Sequence, residues 1–260
     1  SSALKLILKD PRQYYKNYVL DEPQTFSSDA LAIGSYAHTR VLEPHLVDVE
    51  YAIFTGSRRS GDVWKAFKFD NEDKTIITAS QKSLVDNMCF EYEKASVKIG
   101  SIEDETEVMI SSFFTNGEAE ETLCGEIDGY KVKTRFDYRK IDALGTAKSD
   151  GRKTEPYASI NDLKTTASPI GSIEEVEEIC TYWGYDVSAA LYADLATQQT
   201  GIKHDFYFVF MSKKTMECKI FKASEAMLAR GRASYKEAIR RLKIAEATGV
   251  YFENKIEELR

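Results

Sequence analysis

The chain lacks closely spaced cysteines. Its four cysteines are Cys89, Cys124, Cys180 and Cys218. A zinc or iron–sulfur site normally takes at least two ligands from one short turn, so this spacing argues against both kinds of site. Four scattered cysteines in 260 residues also do not make the dense disulfide framework of a small secreted domain. We therefore predict free thiols and a reducing, cytoplasmic location.

Long apolar runs are also missing. No stretch approaches the ~18–20 apolar residues that a membrane helix requires, and the apolar run at 206–211 has only the length of a strand. The first residues show no signal-peptide pattern. The chain begins with Ser1 rather than with Met, and we expect that upstream residues are missing. These features predict a protein without a membrane segment.

The chain has no surplus of positive charge. Its 35 basic and 42 acidic residues give a net charge of −7, which argues against a protein that coats nucleic acid with its whole surface. The charge is unevenly spread, however. Residues 101–128 hold nine acidic residues and no basic one, whereas residues 131–153 and 222–243 each carry a net charge of +5. Such blocks are often only solvated faces, so DNA binding requires that the positive charge act locally.

The hydrophobic pattern predicts one α/β domain over residues 1–260, with a mixed central sheet flanked by helices. With 43% apolar and 12% aromatic residues, the chain can bury a large core. Helical spacing predicts helices within 1–20, at 28–43 and 78–99, over 172–199 with a break near Gly184, and at 224–247. Alternation predicts strands at 108–114, 119–124, 130–138, 158–164, 206–211 and 217–221, with a hairpin turn at 127–129. Residues 1–100 are expected to be mostly helical, 101–225 to form the catalytic sheet core, and 226–260 to form a C-terminal helix and tail.

Two carboxylates and a lysine on neighbouring predicted strands suggest metal-dependent phosphodiester chemistry. Asp137 lies on one strand, and Asp162, Leu163 and Lys164 lie on the next. Residues i and i+2 of a strand point to the same face, so Asp162 and Lys164 project together, with Asp137 across from them. Carboxylate oxygens bind Mg²⁺, and the carbonyl of Leu163 can add a ligand. This pattern alone also fits two surface carboxylates and a lysine.

Four segments within residues 1–192 give that pattern a context. They are Ser2-Ala-Leu4 with Pro11 and Tyr14-Tyr15; Gly34-Ser-Tyr-Ala-His38 followed by Glu43-Pro44; Asp162-Leu-Lys-Thr-Thr166; and the helix from Tyr185 to Tyr192. In type and order they resemble the RecE-like (exodeoxyribonuclease VIII-type) exonucleases of the PD-(D/E)xK, or RecB-like, nuclease superfamily. The chain departs from that pattern at Ser188, where the family's Gln-x-x-x-Tyr helix has Gln. The contact of that Gln near the active site is therefore lost or made differently.

The resemblance implies a role for each matched residue. Asp137 and Asp162 fall on the two metal ligands and Lys164 on the catalytic lysine. His38 falls on a histidine that lies beside or on a catalytic metal, although a core histidine is the other interpretation. Glu120 matches an upstream acidic residue that helps to bind the metal, with Glu121 as a rival.

Two further groups of residues are weaker candidates. Tyr185, Ser188 and Tyr192 share one helix face and match the motif helix, but aromatic residues at this spacing also suit a core. Basic residues near the motifs are candidates for DNA contact or are simply solvated. They are Arg135, Arg152, Lys153 and Arg240.

The implied activity is that of a Mg²⁺-dependent exonuclease, with Mn²⁺ as a substitute ion. It would resect linear double-stranded DNA ends in the 5′→3′ direction and leave 3′ single-stranded overhangs for a strand-annealing partner in recombination. The resemblance also implies a ring-shaped homo-oligomer of bacterial, phage or prophage origin. Two alternatives remain open: another PD-(D/E)xK DNA nuclease without an iron–sulfur cluster (Cas4-like or nicking), or a catalytically idle DNA-binding module.

Overall fold

The computed structural model describes residues 1–23, 28–101, 104–142 and 156–252. Within these ranges, no helix is both long enough and apolar enough to span a membrane. The elements of the first part are α1 (Ser2–Lys9), α2 (Pro11–Tyr18), α3 (Asp29–Leu42), α4 (Val47–Glu50), β1 (Tyr51–Phe54), α5 (Gly61–Asp70), β2 (Thr75–Thr78) and α6 (Ala79–Lys94). They continue with β3 (Ser96–Ser101), β4 (Asp104–Met109), β5 (Glu118–Ile127), β6 (Tyr130–Asp142), β7 (Tyr157–Thr166), α7 (Ile173–Trp183), α8 (Tyr185–Thr200), β8 (His204–Ser212), β9 (Cys218–Lys222) and α9 (Glu225–Thr248).

The predicted mixed central sheet flanked by helices is confirmed. Among the described residues, its strands lie in the order β5-β6-β7-β8-β9. β7 and β8 run parallel, and the other neighbours are antiparallel. The pair β1–β2 is parallel and the pair β3–β4 is antiparallel, and both lie outside this sheet.

Each face of the central sheet is buried under its own set of helices. Alternate residues of β8 point to opposite faces: Phe206, Phe208 and Phe210 pack into one apolar cluster, whereas Val209 and Met211 pack into the other. The first cluster also contains residues of α1, α7, α8 and α9. The second contains residues of α3, α6, β1 and β2. The sheet is therefore the middle layer, and sites can open only at its edges or at its strand ends.

Local sequence signals account for several element boundaries. The turn between β5 and β6 has positive φ at Asp128 and Gly129, as a two-residue hairpin turn of this kind requires, so the predicted hairpin is confirmed. Gly184 adopts φ +60° and ends α7, which confirms the predicted break. Ser172 and Glu175 form a capping box at the start of α7.

The structure corrects two predicted elements. Residues 110–114, predicted as the end of a strand, form a 3₁₀ turn in which the Ser112 hydroxyl donates to the carbonyl of Met109, a local bond that competes with strand pairing. The helix predicted at 78–99 ends at Lys94, because Ser96–Ser101 pair with β4. The short elements α4, α5, β1 and β2 were not predicted. The division into one domain with three parts stays a prediction.

The contact between α8 and α9 depends on Gly231. A Cβ atom there would overlap the backbone carbonyl of Asp186 and approach Ala190 Cβ to 3.0 Å. We expect Gly231→Ala to lower the free energy of unfolding by about 1–3 kcal/mol, although alanine favours a helix by about 1 kcal/mol over glycine. Urea unfolding measures the change. Ala233→Gly, at an exposed position of the same helix, is the control and should cost no more than the propensity difference; a stabilised Gly231→Ala variant would contradict the close approach.

Candidate metal and catalytic site

The site lies where β6 and β7 part. Their pairing runs from Asp142 and Tyr157 to Tyr138 and Asn161. Just beyond this pairing, the backbone N–H of Leu163 donates to the Asp137 carboxylate at 2.8 Å. The Asp137 side chain thus accepts a hydrogen bond from a backbone N–H of β7 that has no backbone partner on β6. This bond fixes the Asp137 carboxylate at the opening between the two strands.

Lys164 lies between two carboxylates. Its Nζ is 2.6 Å from Asp162 Oδ2 and 3.6 Å from Asp137 Oδ2, and it donates to the carbonyl of Leu163 at 3.2 Å. Burial alone would lower the pKa of Lys164, but the two carboxylates outweigh it and raise the pKa above its ordinary value. Burial and the neighbouring Asp137 raise the pKa of Asp162, against the opposing effect of Lys164. Lys164 is therefore held as a cation.

His38 reaches the same point from α3. A Cβ on Gly34 would lie only 3.3 Å from Thr165 Oγ1, so this glycine lets α3 approach the end of β7. One turn later, on the same helix face, His38 Nδ1 lies 3.6 Å from Asp137 Oδ2. Burial lowers the pKa of His38 below its usual value. Its ring is therefore neutral near pH 7 and has a lone pair for a ligand.

Glu120 completes the group from β5. It lies between Ala119, which pairs with Tyr138, and Glu121, which pairs with Phe136, so its position faces Asp137 across the strands. Its φ is +50°, a left-handed conformation that costs a non-glycine residue about 1–3 kcal/mol and that clusters at functional sites. Burial and Asp137 together raise the pKa of Glu120.

The structure places the two candidate acidic residues, Glu120 and Glu121, in different surroundings. Glu121 forms an ion pair with the buried Arg139, which also donates to Gln199. Glu120 Oε2 instead lies 2.9 Å from Arg135 Nε, and one buried carboxylate oxygen of each glutamate, Oε2, has no hydrogen-bond partner among the described residues. What separates the two residues is position, because only Glu120 lies close to both His38 and Asp137.

One possible metal-binding group emerges within the described ranges of the chain. One ligand atom each from His38, Glu120 and Asp137 lies within 4.8 Å of the others. An imidazole and two carboxylates suit a divalent cation, so the residues fit the metal that the sequence predicts. Asp162 is not in this group, because its carboxylate is turned to Lys164. It is linked to the group through Lys164, which also lies 3.6 Å from Asp137.

The three residues predicted on the motif helix do not all face the site. Tyr185 lines the site, and its ring centroid lies 5.4 Å from Lys164 Nζ. The hydroxyls of Ser188 and Tyr192 instead lie 3.2 Å from Ser1 Oγ, and the Tyr192 ring packs on Phe136. Ser188, which replaces the family Gln, thus ties α8 to the start of α1.

The predicted DNA-contact residues also differ in position. Arg135 lines the site and is 69% exposed. Arg240 is exposed on α9, where both its Nε and Nη2 donate to Glu237 of the same helix, and it does not line the site. Arg152 and Lys153 lie outside the described residues. Of the four, only Arg135 is placed beside the metal-binding group.

A cleft of about 990 Å³ opens over these residues. Its walls come from α3, from the ends of β6 and β7, and from the segment that joins α7 to α8. Acidic, basic and aromatic side chains thus meet in one open space. They include His38, Glu120, Arg135, Asp137, Lys164 and Tyr185.

Comparison with known protein families shows to which family this chain belongs. The model of the PDDEXK-like domain of unknown function DUF3799 matches residues 1–251. The chain belongs to this PDDEXK-like family. The predicted PD-(D/E)xK superfamily is thereby supported, whereas the RecE-like type is not settled by the match. No curated protein matches the chain.

Solved structures support the fold of this PDDEXK-like protein. The crystal structure of a candidate exonuclease from Eubacterium rectale matches with a TM-score of 0.63 and 18% identity, over 96% of this chain and 81% of that one. At that identity the likeness concerns the fold alone. A second structure, SSO0001, matches with a TM-score of 0.28 and 11% identity, over 91% of this chain and 86% of that one, which is too weak to carry an argument.

Sequence reasoning missed two residues that line the cleft of this PDDEXK-like domain, Trp183 and Lys213. Trp183 directly precedes the predicted break at Gly184, and Lys213 directly follows β8. Ligands of open α/β sheets bind outside the carboxyl ends of the parallel strands, and β7 and β8 are the parallel pair. A basic residue directly after β8 is therefore the sequence feature that could have predicted Lys213. It predicts a cleft residue only if β7 and β8 are known to run parallel.

The Glu120 geometry gives a direct test of metal binding. We expect Glu120→Gln to weaken Mn²⁺ binding by about tenfold or more, because it removes one anionic ligand and leaves a similar volume. Isothermal titration calorimetry of the full chain measures the change in Kd. Glu126→Gln, at an exposed position of the same strand, should leave Kd unchanged; equal Kd values for both variants would remove Glu120 from the site.

Proposed function

We propose that this chain is a metal-dependent DNA nuclease that acts as an exonuclease. The proposal is carried by the convergence of His38, Glu120 and Asp137 beside the ammonium group of Lys164. Metal-dependent phosphodiester hydrolysis uses a metal site rich in oxygen ligands and is assisted by a fixed positive charge near the phosphate. Membership of a PDDEXK-like family supports the same class of reaction.

The metal we propose is Mg²⁺, with Mn²⁺ as a substitute. His38, Glu120 and Asp137 would hold it, and we propose Asp162 and the carbonyl of Leu163 as additional ligands at the end of β7. When bound, such an ion lowers the pKa of a coordinated water and offsets the negative charge of the phosphate. Once deprotonated, the carboxylate ligands would supply the negative charge that a hard cation requires.

The protein groups supply orientation and charge. The N–H of Leu163 holds the Asp137 carboxylate in place, and Asp162 holds Lys164 at 2.6 Å. Lys164 is positioned to donate to a phosphate oxygen and to stabilise the charge that develops as water attacks. Because its pKa is raised by the two carboxylates, Lys164 serves as a cation and not as a base.

We propose further that the substrate is the end of linear double-stranded DNA. Degradation would run 5′→3′ and leave a 3′ overhang for a single-strand annealing protein, and the active form would be a ring-shaped homo-oligomer. The order of four RecE-like motifs along the chain supports this finer assignment. The complete set of Asp137, Asp162 and Lys164 favours an active enzyme over an idle module, since DNA binding alone does not require all three.

Digestion of labelled DNA tests the activity. We expect the full chain with Mg²⁺ to degrade linear duplex, to spare covalently closed circular duplex, and to lose activity in EDTA. A label at the 5′ end should be released before a label at the 3′ end of the same strand. Cleavage of closed circles would overturn the exonuclease assignment, and early release of the 3′ label would overturn the polarity.

Substitution of Lys164 tests the catalytic assignment. We expect Lys164→Ala to lower the turnover number by about 100- to 1,000-fold, the usual cost of removing one group that stabilises transition-state charge. Asp162→Asn should lower it comparably and should also weaken Mn²⁺ binding. Lys98→Ala, at an exposed position on β3, is the control. Full activity of Lys164→Ala, with a normal thermal unfolding curve, would contradict the site.

A further inference from the structure

Trp183 is an exposed aromatic residue on the wall of the proposed active site. It lines the cleft that contains Asp137 and Lys164, yet it is 56% exposed. Its ring meets Tyr182 edge to face at 4.9 Å, and Lys9 Nζ lies 5.3 Å from the Tyr182 ring centroid. Burial in the core thus does not explain this large apolar side chain.

The backbone ties Trp183 to the catalytic lysine. Gly184 ends α7 in a left-handed conformation, and Tyr185, the next residue, lies against Lys164 with 5.4 Å between its ring centroid and Nζ. The indole is therefore two residues away from a side chain that contacts Lys164. The flat apolar face of the indole thus belongs to the same cleft as Asp137 and Lys164.

Lys213 brings an unpaired positive charge to the same cleft. It follows β8 directly, and its backbone N–H donates 2.7 Å to the carbonyl of Thr166, at the end of the strand that carries Lys164. It is half-buried, and burial lowers the pKa of its ammonium group. Over the described ranges, Lys213 forms no ion pair, whereas Lys219 and Lys222 on β9 each have a carboxylate partner.

We propose that Trp183 and Lys213 form a nucleotide subsite, in which a nucleobase stacks on the indole and Lys213 pairs with a phosphate of the same strand. This inference rests on the proposed function, because it takes DNA as the occupant of the cleft. An aromatic face accepts any base, and a lysine reads only the backbone, so the subsite binds without sequence preference. The occupant is single-stranded, since in a duplex only the terminal base pair offers a face, whereas any base of a single strand can offer one.

Intrinsic fluorescence tests the stacking directly. The chain has two tryptophans, so Trp64→Phe leaves Trp183 as the single tryptophan, which is excited selectively over the tyrosines. The full chain with Ca²⁺ in place of Mg²⁺ is titrated with a 5′-phosphorylated single-stranded oligonucleotide, and binding is followed separately by anisotropy of a labelled copy. We expect quenching of Trp183 on binding and unchanged emission of Trp64 in Trp183→Phe. Bound oligonucleotide with unchanged Trp183 emission would overturn the stacking.

Affinity measurements test both residues of the subsite. Stacking of one base on an aromatic side chain corresponds to about 10- to 100-fold in Kd, so Trp183→Ala should weaken binding by that factor and Trp183→Phe by only a few-fold. Phe69→Ala is the matched control, since Phe69 is 77% exposed and lies outside the cleft.

Lys213→Ala should reduce the slope of log Kd against log salt by about 0.7, the value for one phosphate contact to a single strand. Lys214→Ala, exposed and outside the cleft, should not.

The outcomes separate this inference from the proposed function. Oligonucleotide binding that quenches Trp183 without any cleavage in Mg²⁺ supports the subsite and overturns the nuclease. Cleavage at the normal rate, with Kd and salt slope unaffected in Trp183→Ala and Lys213→Ala, overturns the subsite and leaves the nuclease intact. A chain that binds no DNA under these conditions overturns both.

Discussion

The Asp137 carboxylate organises the site. One of its oxygens accepts the Leu163 N–H and lies 3.6 Å from both His38 and Lys164. This geometry exists because β6 and β7 separate beyond Tyr138 and Asn161, which leaves a backbone donor unpaired until the side chain reaches it. A buried donor without a partner costs about 1–3 kcal/mol, so the same bond that positions the ligand also stabilises the point where the strands part.

The core around the site contains charged side chains that would be unfavourable if they were buried without a partner. Asp162 is almost fully buried at the centre of the sheet and is tolerable there because Lys164 neutralises it. Glu120 keeps a left-handed backbone because regular pairing with β6 continues on both sides of it. The rigid two-faced core therefore sustains both a strained residue and a buried ion pair, and strained residues of this kind cluster at functional sites.

Part of this structure could be predicted from sequence because its signals are local. The β5–β6 hairpin, the break at Gly184 and the strand that carries Asp162 and Lys164 each depend on neighbouring residues. The choice between Glu120 and Glu121 could not be made this way, since it depends on which side chain meets Arg139 across the sheet. The position of Trp183 required the path of α7 over the sheet, and the short strands β1 and β2 pair across the intervening α5.

The structure also shows which charges of one basic block form ion pairs. The segment 222–243 has a net charge of +5, yet Lys222, Arg232, Arg240 and Arg241 all form ion pairs, with Asp205, Asp194 and Glu237. Glu237 is already counted in that net charge, so the partners outside the segment, Asp205 and Asp194, offset only two of its positive charges. Lys213, outside both basic blocks, has no ion-pair partner among the described residues and lies in the cleft. For a chain of net charge −7, attraction of DNA into the cleft would therefore depend on an uncompensated cation that lines it, such as Lys213.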